Sequence, residues 1–354
     1  MHPYKNLPAK AFWRQFVSNT GWRELQLNSE PKFRLQASDR IATAGSCFAQ
    51  HLTRYLKKSG IAPYVAETAH PLIAAYGGDV ASYSQFSARY GNVYTTRQCL
   101  ELFRQAFGLM PVIDDFVEEG GRCYDLVRPN ILKEGFASLA EARADRAAHI
   151  ACVRRMFETA DVFIFTLGLT ESWYHADKGH TYPVCPGTVH GEYQPEQHRF
   201  RNLSCAEVIE DLDCLISGLK AANPNLKIIL TVSPVPLVAT KTEKNVLVAS
   251  QYSKSVLRAA CGEVEARYEH VSYFPSFEII SHPASFGQYL ESDLRGVTER
   301  GVSHVMGSFF ASFYGELPQL PALEAAPVAA PSSELDVAKL LAVECEELFN
   351  EVIQ

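Results

Sequence analysis

The chain has 354 residues, 47% of them hydrophobic and 21% charged, a composition that can bury a large core and is not that of a disordered chain. A formal charge of −7, with no dense run of Lys and Arg, excludes attraction to phosphate backbones and hence a nucleic-acid partner. No apolar stretch reaches the roughly 18 to 20 residues of a bilayer span, and the opening MHPYKNLPAKAFWRQF lacks the apolar core of a signal peptide, so a cytoplasmic protein is expected. The nine cysteines are odd in number, dispersed and without CxxC or Cys/His zinc spacing, which implies neither a disulfide framework nor a metal.

Residues 1–39 read as an N-terminal arm. Arg40 to Ala44 reads as a short buried strand that runs directly into Gly45-Ser46-Cys47-Phe48-Ala49, and Gln50 to Ser59 has helical spacing, with Leu52, Tyr55 and Leu56 on one face. The apolar runs Asp161 to Leu167 and Leu226 to Val232 have strand length and composition, and Val271 to Phe274 is a weaker candidate. Helical patterns lie at about 139–158, 205–221, 247–268 and 297–314. Strands alternating with helices predict a three-layer α/β/α domain over residues 40–315, flavodoxin-like, with a parallel sheet covered on both faces. Two insertions interrupt the rhythm: 68–135, with a helix at about 95–108 and a small hairpin, and 174–203, rich in Gly, Pro, His and Tyr. Insertions of that length usually wall a site. Residues 316–334 are a Pro/Ala-rich linker and 335–354 an amphipathic C-terminal helix that packs on the core or a partner.

In an open parallel sheet, ligands bind at the carboxyl ends of the strands, so the loops that follow strands carry the chemistry. The first is Gly45-Ser46-Cys47. A cysteine at the first turn of a helix meets free backbone N–H groups and the positive end of the helix dipole, which favour thiolate and can donate to a developing oxyanion. A lone cysteine in a tight turn is more often a small core residue; the second loop shifts the balance. In Gly168-Leu169-Thr170-Glu171 the glycine permits close backbone approach, Thr170 offers a hydroxyl and Glu171 a carboxylate.

Residues 45–49 spell GSCFA, and FTLGLTESW (165–173), LTVSPVPLVAT (230–240), YSKSVLRAA (252–260) and YFPSFEI (273–279) follow in order. Over roughly residues 40–310 the chain resembles the bacterial-type GSCFA family of the SGNH/GDSL hydrolase superfamily. The resemblance implies an SGNH-like fold, Cys47 at the nucleophile's place and Ser46 at the aspartate's. It sets Gly168 to Glu171 on the Gly-x-Asn-Asp block, with Thr170 as the oxyanion-hole side chain. The last block, Asp-x-x-His, falls on Asp293-Leu294-Arg295-Gly296, so its histidine is replaced by glycine, while Gly301 stands where that block keeps its own glycine.

The base must then come from elsewhere. His304, on the helix after Asp293, and His51, at i+4 from Cys47, are the leading candidates, each weighed against a plain helix-surface role; His70, His190 and His198 lie in the insertions. A thiol demands less of a base than a hydroxyl, so a cysteine tolerates the loss at Gly296 better than a serine would. Ser233 reads as structural, Trp173 and Tyr174 as either a sugar-stacking wall or packing, and Arg295 as an ion pair to Asp293 or an anion contact. The expected activity is hydrolysis or O-acyl transfer of a carbohydrate or polysaccharide acyl ester through an S-acyl enzyme. No cofactor is required, and acyl-CoA is open as a donor. The alternative is an inactive SGNH-like module that binds glycan or acyl groups.

Overall fold

The structure, a computed structural model, describes residues 2–27, 30–45, 53, 55–57, 59, 61, 63–70 and 81–315. In chain order its main elements are β1 Ile41–Gly45, α1 Thr96–Ala106, β2 Phe116–Glu119, β3 Arg122–Asp125, α2 Leu139–Thr159, β4 Val162–Leu167, β5 Glu171–His175, β6 Thr181–Tyr182, β7 His198–Asn202, α3 Cys205–Ala222, β8 Lys227–Val232, α4 Val246–Arg267, β9 Val271–Phe274, α5 Ser276–Ser281 and α6 Glu299–Tyr314. The four apolar runs read as strands pair in parallel in the order β1-β4-β8-β9.

Alternate residues of each strand enter different cores. Ala42, Ala44, Phe163, Phe165, Ile228, Leu230, Val271 and Tyr273 pack with α1, α2, α3 and α4 on one face. Ile41, Val162, Ile164, Ile229 and Phe274 pack with α5 and α6 on the other. Burial on both faces is why these strands read as unbroken apolar runs and not as alternating ones. The helices start where short polar side chains can cap them: Thr95 and Ser204 form capping boxes with Gln98 and Glu207, and Ser138 and Thr298 accept from Glu141 N and Gly301 N.

Both sheet edges are covered. Along β1, Tyr64 and Val93 N–H groups donate to Ile41 and Gly45 carbonyls at 3.3 and 3.0 Å, and Ser87 Oγ accepts from Thr43 N at 3.0 Å. Along β9, Glu265 Oε1 accepts from Tyr273 N at 2.7 Å, and the N-terminal arm contributes Lys32 N to Ser272 Oγ at 2.9 Å. Blocked edges cannot recruit a further strand. No helix among the described residues is long and apolar enough to cross a membrane.

The insertions carry structure of their own. The first holds α1 and the β2–β3 hairpin, both expected. The second, for which composition gave no elements, holds a separate three-stranded sheet in which β5 pairs antiparallel with β6 and β7. Its buried positions are Ser172, His175, His180, Thr181, Tyr182 and His198. With mostly polar residues inside, such strands give no hydrophobic alternation to read. They are held instead by Asp115, which accepts from His180 Nε2 at 2.9 Å and Tyr182 OH at 2.5 Å.

A buried charge network fastens the hairpin to α2. Asp125 accepts from Arg128 at 2.9 Å and Arg146 at 2.7 Å, and Asp145 accepts from Arg89 and Arg128, both at 2.7 Å. Burial alone would raise the Asp125 pKa, but Arg146 and Arg128 hold it below the usual carboxylate range. Asp125→Ala leaves two guanidinium groups buried without that partner, so it is expected to cost about 3 to 5 kcal/mol in urea unfolding; a loss under about 1 kcal/mol contradicts this role for the network.

Candidate functional site at the carboxyl edge of the sheet

β1 ends at Gly45, paired with Thr166 of β4. Gly45 has φ +135°, and a Cβ there would lie 2.4 Å from the Thr166 carbonyl oxygen, so no other residue fits at this exit. The residues that follow, Ser46 and Cys47, and the base candidate His51, lie outside the described residues.

The exit of β4 is stitched down on several sides. Gly168 and Leu169 N–H groups both donate to the Tyr94 carbonyl, at 2.9 and 3.1 Å. A Cβ on Gly168 would sit 3.1 Å from that oxygen, so the close backbone approach expected of this glycine is present. Thr170 is fully buried; its N–H donates to Ser253 Oγ at 2.9 Å and its hydroxyl to Asn202 Oδ1 at 2.6 Å. The protons of Gly168 N and Thr170 Oγ1 are therefore engaged within the protein. Glu171 Oε1 accepts from Thr240 Oγ1 at 2.6 Å and Oε2 from Lys241 N at 3.1 Å, fixing the loop after β8.

The last-block residues do not form a dyad. Asp293 is exposed, its Oδ1 accepting from the backbone N–H groups of Arg295 and Gly296, both at 2.9 Å, and those bonds lower its pKa. His304 stacks on Tyr289 with centroids 5.3 Å apart and an interplanar angle of 19°; burial lowers its pKa, and its Nε2 has no hydrogen-bond partner among the described residues. His190 is bound to Glu119 and stacked on Tyr124, and His198 accepts from Gln194 N, so both belong to the insertion scaffold, while His70 is exposed. Trp173 packs edge-on against Tyr193 and Phe200, and Arg201 covers the Tyr174 ring at 4.6 Å. Ser233 is buried, donating its N–H to Leu167 O at 2.8 Å and accepting from Val235 N, as a structural reading requires. A cleft of about 60 Å³ opens between the insertions, lined by Asn92, Tyr94, Pro183 and Val184 among others, so both contribute walls beside the β4 exit.

One residue at this edge was not singled out from the sequence. Lys254 on α4 is 4% exposed, and its Nζ donates to the Gly168 carbonyl at 2.5 Å. It makes no ion pair with a carboxylate of the described residues. Burial, reinforced by the Arg295 guanidinium, pushes its pKa down to about 7. Its place in the buried series Ser250, Lys254, Leu257, Cys261, Val264 was the available signal: a lysine on the inward stripe of a helix. Among the described residues, no cluster of three or more His, Cys, Asp or Glu side chains is arranged to hold a metal.

A parallel α/β sheet with its polar residues and site-building loops gathered at the strand exits defines the class. The GSCFA family model matches residues 40–309, and the chain belongs to the GSCFA family. No curated protein matches. Among solved structures, the chain is similar to a carbohydrate esterase family 3 protein from Talaromyces cellulolyticus at 12% identity, with 78% of this chain and 97% of that chain covered and a TM-score of 0.36.

The Lys254 pKa gives a testable sign. Because the folded value, about 7, lies below the unfolded one near 10.4, the unfolded chain binds more protons between the two, and the protein gains stability as pH rises through that window. Lys254→Met removes this dependence. Relative to the parent, its unfolding free energy should be higher near pH 6 than near pH 10 by on the order of a few kcal/mol; a difference independent of pH means that the amine is not buried as described.

Proposed function

We propose that the protein is an acyl-ester hydrolase or O-acyltransferase that uses Cys47 as nucleophile and passes through an S-acyl enzyme, acting on a carbohydrate or polysaccharide acyl group. The observation that carries this reading is the exit of β1 at Gly45, against Thr166 and beside the fixed Gly168–Thr170 loop. Cys47 follows Gly45 by two residues in the chain, and the carboxyl edge of the sheet, where β1 ends, is where this class of fold binds its ligands. Family membership supports the acyl chemistry, and the resemblance to that family is what suggests a carbohydrate or polysaccharide acyl group.

In this mechanism the thiolate attacks the ester carbonyl, and the backbone N–H of Cys47 donates to the oxyanion. Gly168 and Thr170 act by holding the loop, since their own protons are given to Tyr94 and Asn202. Whether water or a sugar hydroxyl takes the acyl group distinguishes hydrolase from transferase. Glycine at 296 and the engaged donors favour a second reading, an inactive module that binds glycan or acyl groups in the same place.

Cys47→Ala is expected to lower p-nitrophenyl acetate hydrolysis at least about 1000-fold with folding intact. Full activity in that variant rules the mechanism out. Iodoacetamide separates the two readings: an enzyme alkylates at Cys47 well ahead of the exposed Cys214, which serves as the ordinary thiol within the same chain. Equal rates at the two positions support the binding module.

A further inference from the structure

We propose that Lys254 is the proton acceptor and donor of the acyl-transfer reaction, in the role that the superfamily gives to the histidine replaced here by Gly296. This rests on the reading of Cys47 as nucleophile and deepens it.

The Lys254 amine is anchored on the Gly168 carbonyl, two residues beyond Thr166, which is the strand partner of Gly45. Gly45 is in turn two residues before Cys47. The amine and the sulfur are thus tied by short lengths of chain to the ends of adjacent parallel strands. One N–H of a neutral amine suffices for the Gly168 carbonyl, and that bond turns the nitrogen lone pair away from the carbonyl, available to accept a proton.

The competing groups are accounted for. Asp293 caps its own turn and the protons of Gly168 and Thr170 are committed, while His304, stacked on Tyr289, makes no hydrogen bond to Asp293 among the described residues. The charge that acts on Lys254 is Arg295, from the segment between α5 and α6. On α4, one turn along, Arg258 is bound to Glu278, which also accepts from Tyr273 OH; in the β4–β5 loop, Glu171 is turned to Thr240 and Lys241. With Arg295 beside it and no carboxylate pairing with it among the described residues, the ammonium form is disfavoured, so the group is neutral often enough near neutral pH to serve as a base.

The steps balance. As sulfur bonds to the carbonyl carbon, the thiol proton passes to the Lys254 amine and the carbonyl π pair moves to oxygen. On collapse the carbon–oxygen ester bond breaks, its electron pair leaves with the alkoxide oxygen, and the ammonium returns the proton to give an alcohol and a thioester on Cys47. Water then attacks the thioester, giving a proton to the amine; the carbon–sulfur bond breaks, the thiolate leaves and regains that proton, and the carboxylic acid departs. An acceptor hydroxyl in place of water gives transfer. The newly formed ammonium and Arg295 both favour the oxyanion, in a loop whose other donors are occupied.

The test compares the parent, Lys254→Gln, Lys254→Arg and Cys47→Ala, with p-nitrophenyl acetate as substrate and iodoacetamide as thiol probe. Gln keeps an N–H donor for the Gly168 carbonyl but has no basic nitrogen, and Arg keeps the charge but does not release its proton. Both variants should lose roughly 100-fold to 10,000-fold in kcat at pH 7 with KM changed only a few-fold. In Lys254→Gln the pH midpoint of Cys47 alkylation should move up toward the ordinary thiol value near 8.5. Should either variant fold poorly, the other decides. Retention of kcat and of the alkylation midpoint in a folded Lys254→Gln overturns the proposal, as does full activity in Lys254→Arg, which would assign the residue a charge role only. If Cys47→Ala is dead and the Lys254 variants are fully active, only the assignment of Lys254 fails; if Cys47→Ala is active, the reading beneath it fails.

Discussion

The junction at the end of β4 is the constraint from which the rest of the site follows. Its backbone is bound to Tyr94 through Gly168 and Leu169, to Ser253 through Thr170 N–H, to Leu203 through the Thr170 carbonyl, and to Lys254 through the Gly168 carbonyl. One loop therefore joins the central sheet to the first insertion, the second insertion and α4. Each bond satisfies a polar group that burial would otherwise leave costly, and together they fix the floor of the ligand side of the sheet.

That economy has a chemical consequence. Thr170 spends its single hydroxyl proton on Asn202, and Gly168 spends its N–H on Tyr94. A loop so occupied cannot also supply those donors to a reacting oxygen in the same arrangement. On the neighbouring helix, α4 brings a buried amine to the loop, and the Arg295 guanidinium of the segment before α6 acts on its charge. The nucleophile proposed here, Cys47, suits this arrangement because a thiol ionises far more readily than a serine hydroxyl.

Much of the central fold was legible in the sequence, and for a simple reason. Strands buried on both faces, such as Val162–Leu167 and Lys227–Val232, give continuous apolar runs, and the helices between them carry clear spacing; the helix patterns at 139–158 and 205–221 recur as Leu139–Thr159 and Cys205–Ala222. The β5–β6–β7 sheet was not legible because histidines, threonine and tyrosine fill its interior, and what specifies it is a hydrogen-bonded contact to Asp115, far away in sequence. At the site, Gly168 could be read from the need for close backbone approach, whereas the contact of Gly45 with Thr166 shows only in the strand pairing. Lys254 could not be read from residue type, since a lysine in a helix is ordinarily solvated, and only its register on the buried stripe of α4 marks it. His304 was read as a candidate base because it is the nearest histidine after Gly296; its ring stacks on Tyr289, an aromatic contact that spacing along the chain does not reveal.

The central claim is a covalent one, that an acyl group resides on the sulfur following β1 during turnover. Rapid acid quench of the protein mixed with p-nitrophenyl acetate, followed by peptide mass analysis, reads it directly. The account predicts a hydroxylamine-labile acetyl adduct on the peptide that contains Cys47, formed as fast as the first burst of product; turnover with that peptide unmodified, or with the acetyl group on another side chain, contradicts it.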